Sequence, residues 1–512
     1  MKTHSDELFG LVKAMTAKEK FFFKAFGCNN NSKAERGYLL LFDALNELKQ
    51  YDEPALRAKL EKQGFSHNIN KAKNYLGKAI LKSLETYHSG GSVHAEIHHL
   101  ISQAEILYKK RLVKMAHKIL AKAEKMALDA EKQEYLLLIH SLKSNIALHT
   151  ANLPALNDIL EKGIQQKKNY FRLLMNNDAY INLAIAVTAY GQSPELKTGN
   201  KTNLERISRL LNHTLLHDSA SAQTVVSRYH FYNLNYLRFF HENKWDDRAL
   251  QVLREGVTYL EARRNVLNDS PEMYLKALGL LLNALAITQN ERETGVVYNK
   301  ARKYYRGLPN KYISQHIQQE FFRITTSFIG IQINFLRPEK AVQTFHELSR
   351  YTSPAIINNP LNFVLFINMT ESYLMTEQYR KALFFANKIL NYKGKYRVDL
   401  QAFVKIYELL IQYKLKKDEL LPYLAKSTER WLKKNDYQPR FFDKALIDFF
   451  KFRLPKINSA AEKRETMQNL LAQLKAATNT EYSILKNTFD LAAWLESEIQ
   501  QKPMLEIMRK TL

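Results

Sequence analysis

Residues 95–129 read AEIHHLISQAEILYKKRLVKMAHKILAKAEKMALD, and their pattern decides the fold. Apolar residues recur at helical spacing on both sides of Lys109-Lys110-Arg111. That predicts two amphipathic helices, 95–109 and 112–129, joined by a short polar turn. The alternation continues along the chain. Further pairs are read at 133–149/153–165, 170–190/203–216, 223–241/245–263, 272–289/291–305, 314–335/338–350, 358–375/379–391 and 397–414/417–433. Little interrupts them: the 512 residues contain 16 Gly and 12 Pro. What punctuation exists falls between helices. Ser270-Pro271 places a hydroxyl at an N-cap and proline at the first helical position, where its missing N–H costs nothing. Pro154 and Pro338 likewise open second helices of pairs.

Both ends of the chain depart from this alternation. In residues 1–90, Thr16-Ala-Lys-Glu19 is a capping box, opening a short helix that carries Phe21, Phe22, Phe23 and Phe26. A polar break follows at Cys28-Asn29-Asn30-Asn31-Ser32. Leu41, Leu45 and Leu48 mark the next helix, and Asp52-Glu53-Pro54 starts another. Tyr75, Leu76, Ala79, Ile80 and Leu84 then line a longer helix ending before Ser89-Gly90-Gly91-Ser92, the best linker candidate in the chain. Beyond residue 435, helical pattern continues through Phe441, Leu446, Phe449 and Phe450, then Leu491, Trp494 and Leu495, and Lys502-Pro503 sets off a last short helix. The reading is an all-α chain: an N-terminal helical bundle (1–90), helix pairs stacked as an α-solenoid (91–435) and a C-terminal capping region (436–512). Such a length exceeds the roughly 250–300 residues at which one core stops growing, which fits an array of repeats.

Composition narrows the class. Hydrophobic residues make up 46% and charged residues 25%, the balance of a folded rather than a disordered chain. The single cysteine, Cys28, can form neither an intramolecular disulfide nor a multi-thiolate metal site. The opening MKTHSDELFGLVKAM lacks the apolar run of a signal peptide, and the oily stretch Leu278–Ile287 is about half of the roughly 20 residues a membrane span needs. A cytoplasmic protein without membrane insertion is expected. The net charge of +25 would draw nucleic acid or other anionic partners, but it is dispersed in pairs and triplets such as Arg263-Arg264, Lys416-Lys417 and Lys433-Lys434.

Within the pairs, the arrangement of large and small residues resembles tetratricopeptide repeats. In that family a large residue of the first helix is followed, in the second, by a small, a large and another small one, which lets two antiparallel helices approach closely. Leu107, Ala116, Leu120 and Ala123 follow this order, as do Phe240, Ala249, Leu253 and Gly256. Tyr373, Ala382, Ala386 and Ile389 match in part, with bulk at Phe385 as well, while Gln332, Ala341, Phe345 and Leu348 keep the middle of the pattern. The units are uneven and longer than the family's roughly 34 residues. The resemblance implies a right-handed solenoid that presents its first helices to a protein or peptide partner. The stretches Thr16-Ala-Lys-Glu-Lys-Phe21 and Lys73-Asn-Tyr-Leu76 are also similar to the start of uncharacterised bacterial helical-repeat proteins, a resemblance that implies no activity.

Four candidate sites can be read. His94, His98 and His99 with Glu96 form the one metal-like cluster, but Glu96 falls on the far side of the helix from His94 and His98, and no third ligand follows by spacing. The run from Arg228 to Phe240 interleaves rings and bases as single-strand binders do, yet Tyr229, Tyr232, Tyr236 and Phe239/Phe240 recur as a buried helical stripe would. Lys71, Lys78 and Lys82, with Asn74, share a helix face that could meet a phosphate backbone or water. Cys28 has neither a neighbouring His nor an oxyanion-forming Gly loop, and phosphate-binding and serine-nucleophile motifs are absent from the sequence. These readings assign no catalytic, metal or cofactor residue. They lead to a non-enzymatic scaffold binding a protein or peptide, with acidic partners favoured by the net charge. The alternative is a nucleic-acid-associated regulator using the basic surface of its N-terminal bundle.

Overall fold

A computed structural model describes residues 4–27, 33–65, 68–88, 92–191, 201–309, 313–394, 396–439, 441–476 and 490–510. The described residues form helices and turns, with no strand among them, and none of these helices is long and apolar enough to cross a membrane. Cys28, the Asn29–Ser32 break and the Ser89-Gly90-Gly91 linker lie outside the described residues. The chain divides into two compact units, residues 1–179 with 223–225, and residues 180–222 with 226–512.

In the first unit, His4–Ala14, Ala17–Phe22 with the π-helical turn Phe23–Gly27, Lys33–Glu47, Glu53–Lys62 and Ile69–His88 bury one cluster that includes Val12, Phe23, Leu41, Leu56, Leu76 and Ile80. The capping box is formed: the Glu19 N–H donates to Thr16 Oγ1 at 3.3 Å, and the Thr16 N–H to Glu19 Oε2 at 2.6 Å. Of its phenylalanines, Phe23 is buried while Phe21 is exposed. Tyr75, expected in the apolar stripe, is exposed and stacks on Tyr38 with ring centroids 4.1 Å apart. A second cluster joins Val93–Lys109, Val113–Asp129 and Gln133–His149 through Ile97, Ala104, Ala116, Leu120, Ala123 and Ile139.

The break expected between 165 and 170 is absent. Leu153–Asp158 passes through a π-helical turn, Ile159–Gly163, directly into Ile164–Gly191. Gln166-Lys167-Lys168-Asn169, left between the two expected helices, continue one helix instead, since Gln and Lys are good helix formers. Pro271 does open Pro271–Ile287, but the Ser270 side chain makes no capping hydrogen bond, because its backbone (φ −135°, ψ 62°) is not in the usual extended N-cap conformation.

The turns explain why so few glycines suffice. After Val93–Lys109 the Leu112 N–H returns to the Leu107 carbonyl at 2.9 Å and the Arg111 N–H to that of Tyr108 at 2.8 Å, a Schellman turn with Arg111 left-handed at φ 61°. Leu112 is at once the last residue of this turn and the N-cap of Val113–Asp129. The same Schellman turn, with Glu131, Ala151, Asn243, Gln289, Leu336, Glu377 or Lys416 in the left-handed position, recurs along the chain. Glycine normally fills this position because a Cβ there costs about 1 kcal/mol or more. Arg111→Gly and Gln289→Gly, both at exposed sites, should therefore each stabilise the chain by about 0.5–1 kcal/mol. Denaturation midpoints check this, and a fall in both would show that positive φ is not the strain relieved.

In the second unit, Asp247–Glu261, Pro271–Ile287, Gln315–Asn334, Phe363–Met375 and Val398–Lys414 pack each on the next. Pro271–Ile287 also packs on its own partner Glu291–Gly307, Gln315–Asn334 on Pro338–Tyr351, Phe363–Met375 on Tyr379–Leu390, and Val398–Lys414 on Leu421–Lys434. Ala249, Ala341, Ala382 and Ala386 are all fully buried where second helices approach first ones. Phe240 departs from the expected pattern: it is 61% exposed, its ring edge-on to Trp245, while the adjacent Phe239 is buried. Near the end of the chain, Leu491–Gln500 sets Trp494 against Tyr413 and Phe450. Met504–Lys510 then reaches back to an earlier turn, where Arg509 Nη2 donates to the Leu336 carbonyl at 2.8 Å.

Candidate functional site: a polar cleft across four helices

Four helices of the second unit, Pro271–Ile287, Gln315–Asn334, Phe363–Met375 and Val398–Lys414, contribute to one cleft of about 510 Å³. Each is the first helix of a short-linked pair. Because one helix face repeats every three to four residues, Thr326, Ser327, Gly330, Ile331 and Asn334 all reach the cleft from a single helix. Asn283 comes from the preceding first helix, and Val364, Ile367, Asn368 and Glu371 from the following one. Asp399, Leu400, Phe403 and Tyr437 complete the wall. Gly330 keeps the wall open, since a Cβ there would stand 3.0 Å from Asn368 Nδ2. Asn368 is held by donating that amide to the Thr326 carbonyl at 3.2 Å.

The electrostatics are unlike those of the chain as a whole. No Lys, Arg or His is among the described lining residues, and the two charged residues among them, Glu371 and Asp399, are both acidic. Glu371 is 8% exposed. Burial pushes its carboxyl up to about 8, against the opposing effect of the Tyr407 hydroxyl, which donates to Oε1. The Thr326 hydroxyl is also buried and has no hydrogen-bond partner among the described residues. Asp399 lies at the rim, where the Arg397 guanidinium, 2.7 Å away, holds its carboxyl below the usual range.

The residues singled out in the sequence lie elsewhere. His94 bonds the Tyr135 hydroxyl at 2.9 Å, Glu96 pairs with Lys122 at 3.3 Å, and His99 Nε2 lies 2.8 Å from Gln103 Nε2. Among the described residues no three His, Cys, Asp or Glu side chains are grouped to hold a metal. In the 228–240 run Tyr229, Phe231, Tyr232 and Phe239 are buried. Arg228 Nε donates to the Ala222 carbonyl at 2.7 Å, and burial together with Lys276 pushes His230 down to about 4. Lys71, Asn74, Lys78 and Lys82 are all exposed on Ile69–His88.

Sequence reasoning passed over the cleft. Asn283, Ser327, Asn368 and Glu371 sit among apolar residues with no motif or spacing that sets them apart from a solvated helix face. A signal was nonetheless present: these polar residues interrupt otherwise oily first helices, one helix after another. No family model matches the chain, and no curated protein or solved structure matches it either.

Proposed function

We propose that the chain is a non-enzymatic scaffold, a right-handed α-solenoid of tetratricopeptide-like helix pairs, that binds an extended protein segment across its first helices. One observation carries this reading: three successive first helices place carboxamides and hydroxyls, and a fourth adds Asp399, Leu400 and Phe403, in a single cleft without a catalytic constellation among its described residues. Carboxamides donate and accept at once, as the backbone of an extended segment requires, and Ile331, Ile367 and Phe403 supply apolar contact beside them. The stacking of each first helix on the next supports the solenoid assignment. Cytoplasmic location remains part of this proposal.

The test is affinity capture from the native cell extract, with nuclease-treated and untreated halves, using the full chain and a Ser327→Trp variant whose indole fills the cleft. A protein partner that survives nuclease and is lost with Ser327→Trp is the expected result, with matched melting curves showing that the variant folds. Retention of the partner by that variant would sink the cleft as the binding site.

A second reading rests on Lys71, Lys78 and Lys82, which fall on one exposed stripe of Ile69–His88 together with Tyr75. Cations flanking an exposed ring suit a nucleic-acid strand. Recovery of nucleic acid in the untreated half, lost on Lys71→Ala/Lys78→Ala/Lys82→Ala substitution and insensitive to Ser327→Trp, would favour it.

A further inference from the structure

The cleft's charge runs against that of the chain. At +25 the protein should favour acidic partners, yet the described residues of the cleft wall include no cationic side chain. Distant lysines do not decide what happens inside it, because at physiological salt their field is screened within about 8 Å. Inside, Glu371 is more than nine-tenths buried, with Tyr407 donating to one carboxyl oxygen, and the equally buried Thr326 hydroxyl lining the same cleft has no hydrogen-bond partner among the described residues. A buried acid without a counter-charge is destabilising, whereas an ion pair completed by a ligand offsets that penalty.

We propose that this cleft receives the cationic side chain of a lysine or arginine in an extended partner segment, with Glu371 as its principal acceptor and Phe403 and Tyr437 as aromatic walls. Charge complementarity selects this occupant over an acidic one. The inference rests on the scaffold reading above and specifies the partner's chemistry. An aromatic wall adds attraction for a cation approaching its ring face. Asn283, Ser327 and Asn368 are placed to bond the segment's backbone on either side of the basic residue.

Binding is then linked to a proton. In the free protein near neutral pH, Glu371 is mostly the neutral acid. A guanidinium or ammonium beside it favours the carboxylate, so binding releases a proton, and affinity rises with pH until Glu371 is ionised without help. Few charged groups compete. Tyr407 faces Glu371 from Val398–Lys414, and Asp399 on the same helix is paired with Arg397. Lys405 and Glu408, also on that helix, do not line the cleft, and Gln315–Asn334 and Pro271–Ile287 offer it only neutral side chains.

The experiment is a positional-scanning array of extended peptides probed with the full chain, with Glu371→Gln, and with Asp399→Asn, which removes a rim charge without touching the buried Glu371–Tyr407 pair. The expected result is enrichment of Lys or Arg at one position. For the best basic peptide, affinity should rise about tenfold between about pH 6.5 and 7.5 in the wild type and stay flat in Glu371→Gln, with at least tenfold weaker binding in that variant at the higher pH. A smaller loss, with the pH dependence kept, is expected of Asp399→Asn. Peptides that bind without basic preference, and that Ser327→Trp abolishes, would overturn the cation site while leaving the scaffold reading standing. An array from which the full chain selects nothing would overturn both.

Discussion

Replacing Gly256 with alanine should destabilise the second unit by about 1–2 kcal/mol, and with valine by upwards of about 3 kcal/mol, while Gly295→Ala should stabilise it by about 0.5–1 kcal/mol. The same chemical change has opposite signs for a structural reason. Both glycines lie inside helices, Asp247–Glu261 and Glu291–Gly307, so alanine gains helix propensity at each. At Gly295 a Cβ would meet nothing within 4 Å. At Gly256 it would stand 2.7 Å from Cγ of Tyr232, the inner end of a buried ring that cannot swing aside. Overpacking there outweighs the propensity gain. Trp245, Trp431 and Trp494 all belong to the second unit, so tryptophan emission during chemical denaturation reports on it alone. If Gly256→Ala proved as stable as Gly295→Ala, the close approach of these helices would be wrong.

The second large effect concerns pH. A carboxyl held at about 8 when folded and near the ordinary carboxyl value of about 4.5 when unfolded binds its proton more tightly in the native state. Its stabilising contribution is therefore complete below about pH 4.5 and is lost progressively as pH rises through about 8. Glu371→Gln keeps the shape and an acceptor for Tyr407 but cannot ionise. The difference in stability between Glu371→Gln and the wild type should therefore move in favour of the variant between about pH 5 and 8, by roughly 3–5 kcal/mol in all, and level off above that. Other titrating groups are common to both proteins and cancel. Parallel curves across this range would mean that water reaches Glu371 and that its burial does not control it. The same measurement bears on the cation site, since a Glu371 that ionises normally would release no proton on binding.

Much of the helical architecture was legible because burial leaves a period in the sequence. Ala116, Leu120 and Ala123, and again Ala382 and Ala386, repeat at the spacing of one helix face, and they are indeed buried. Thr16 and Glu19 announced their capping box through a chemistry confined to four residues. The less successful readings have a common cause. The run 166–169 was polar without being a turn, and Phe240 was large without being inside, because polarity and bulk alone do not say which side of a helix meets its neighbour.

Only the tertiary structure revealed the turns and the cleft. Residues as different as Arg111, Gln289, Leu336 and Glu377 adopt one left-handed conformation because packing of the flanking helices compensates for the local strain, so no residue type marks them. Glu371 reads in sequence like any helix-surface glutamate; its carboxyl becomes unusual once neighbouring helices exclude water from it and bring Tyr407 to one oxygen. The sequence by itself determined which residues are helical and which faces are apolar, because those depend on neighbours a few positions away. The cleft, its acidic described lining and its elevated carboxyl were decided by residues far apart in the chain, whose proximity no local period encodes.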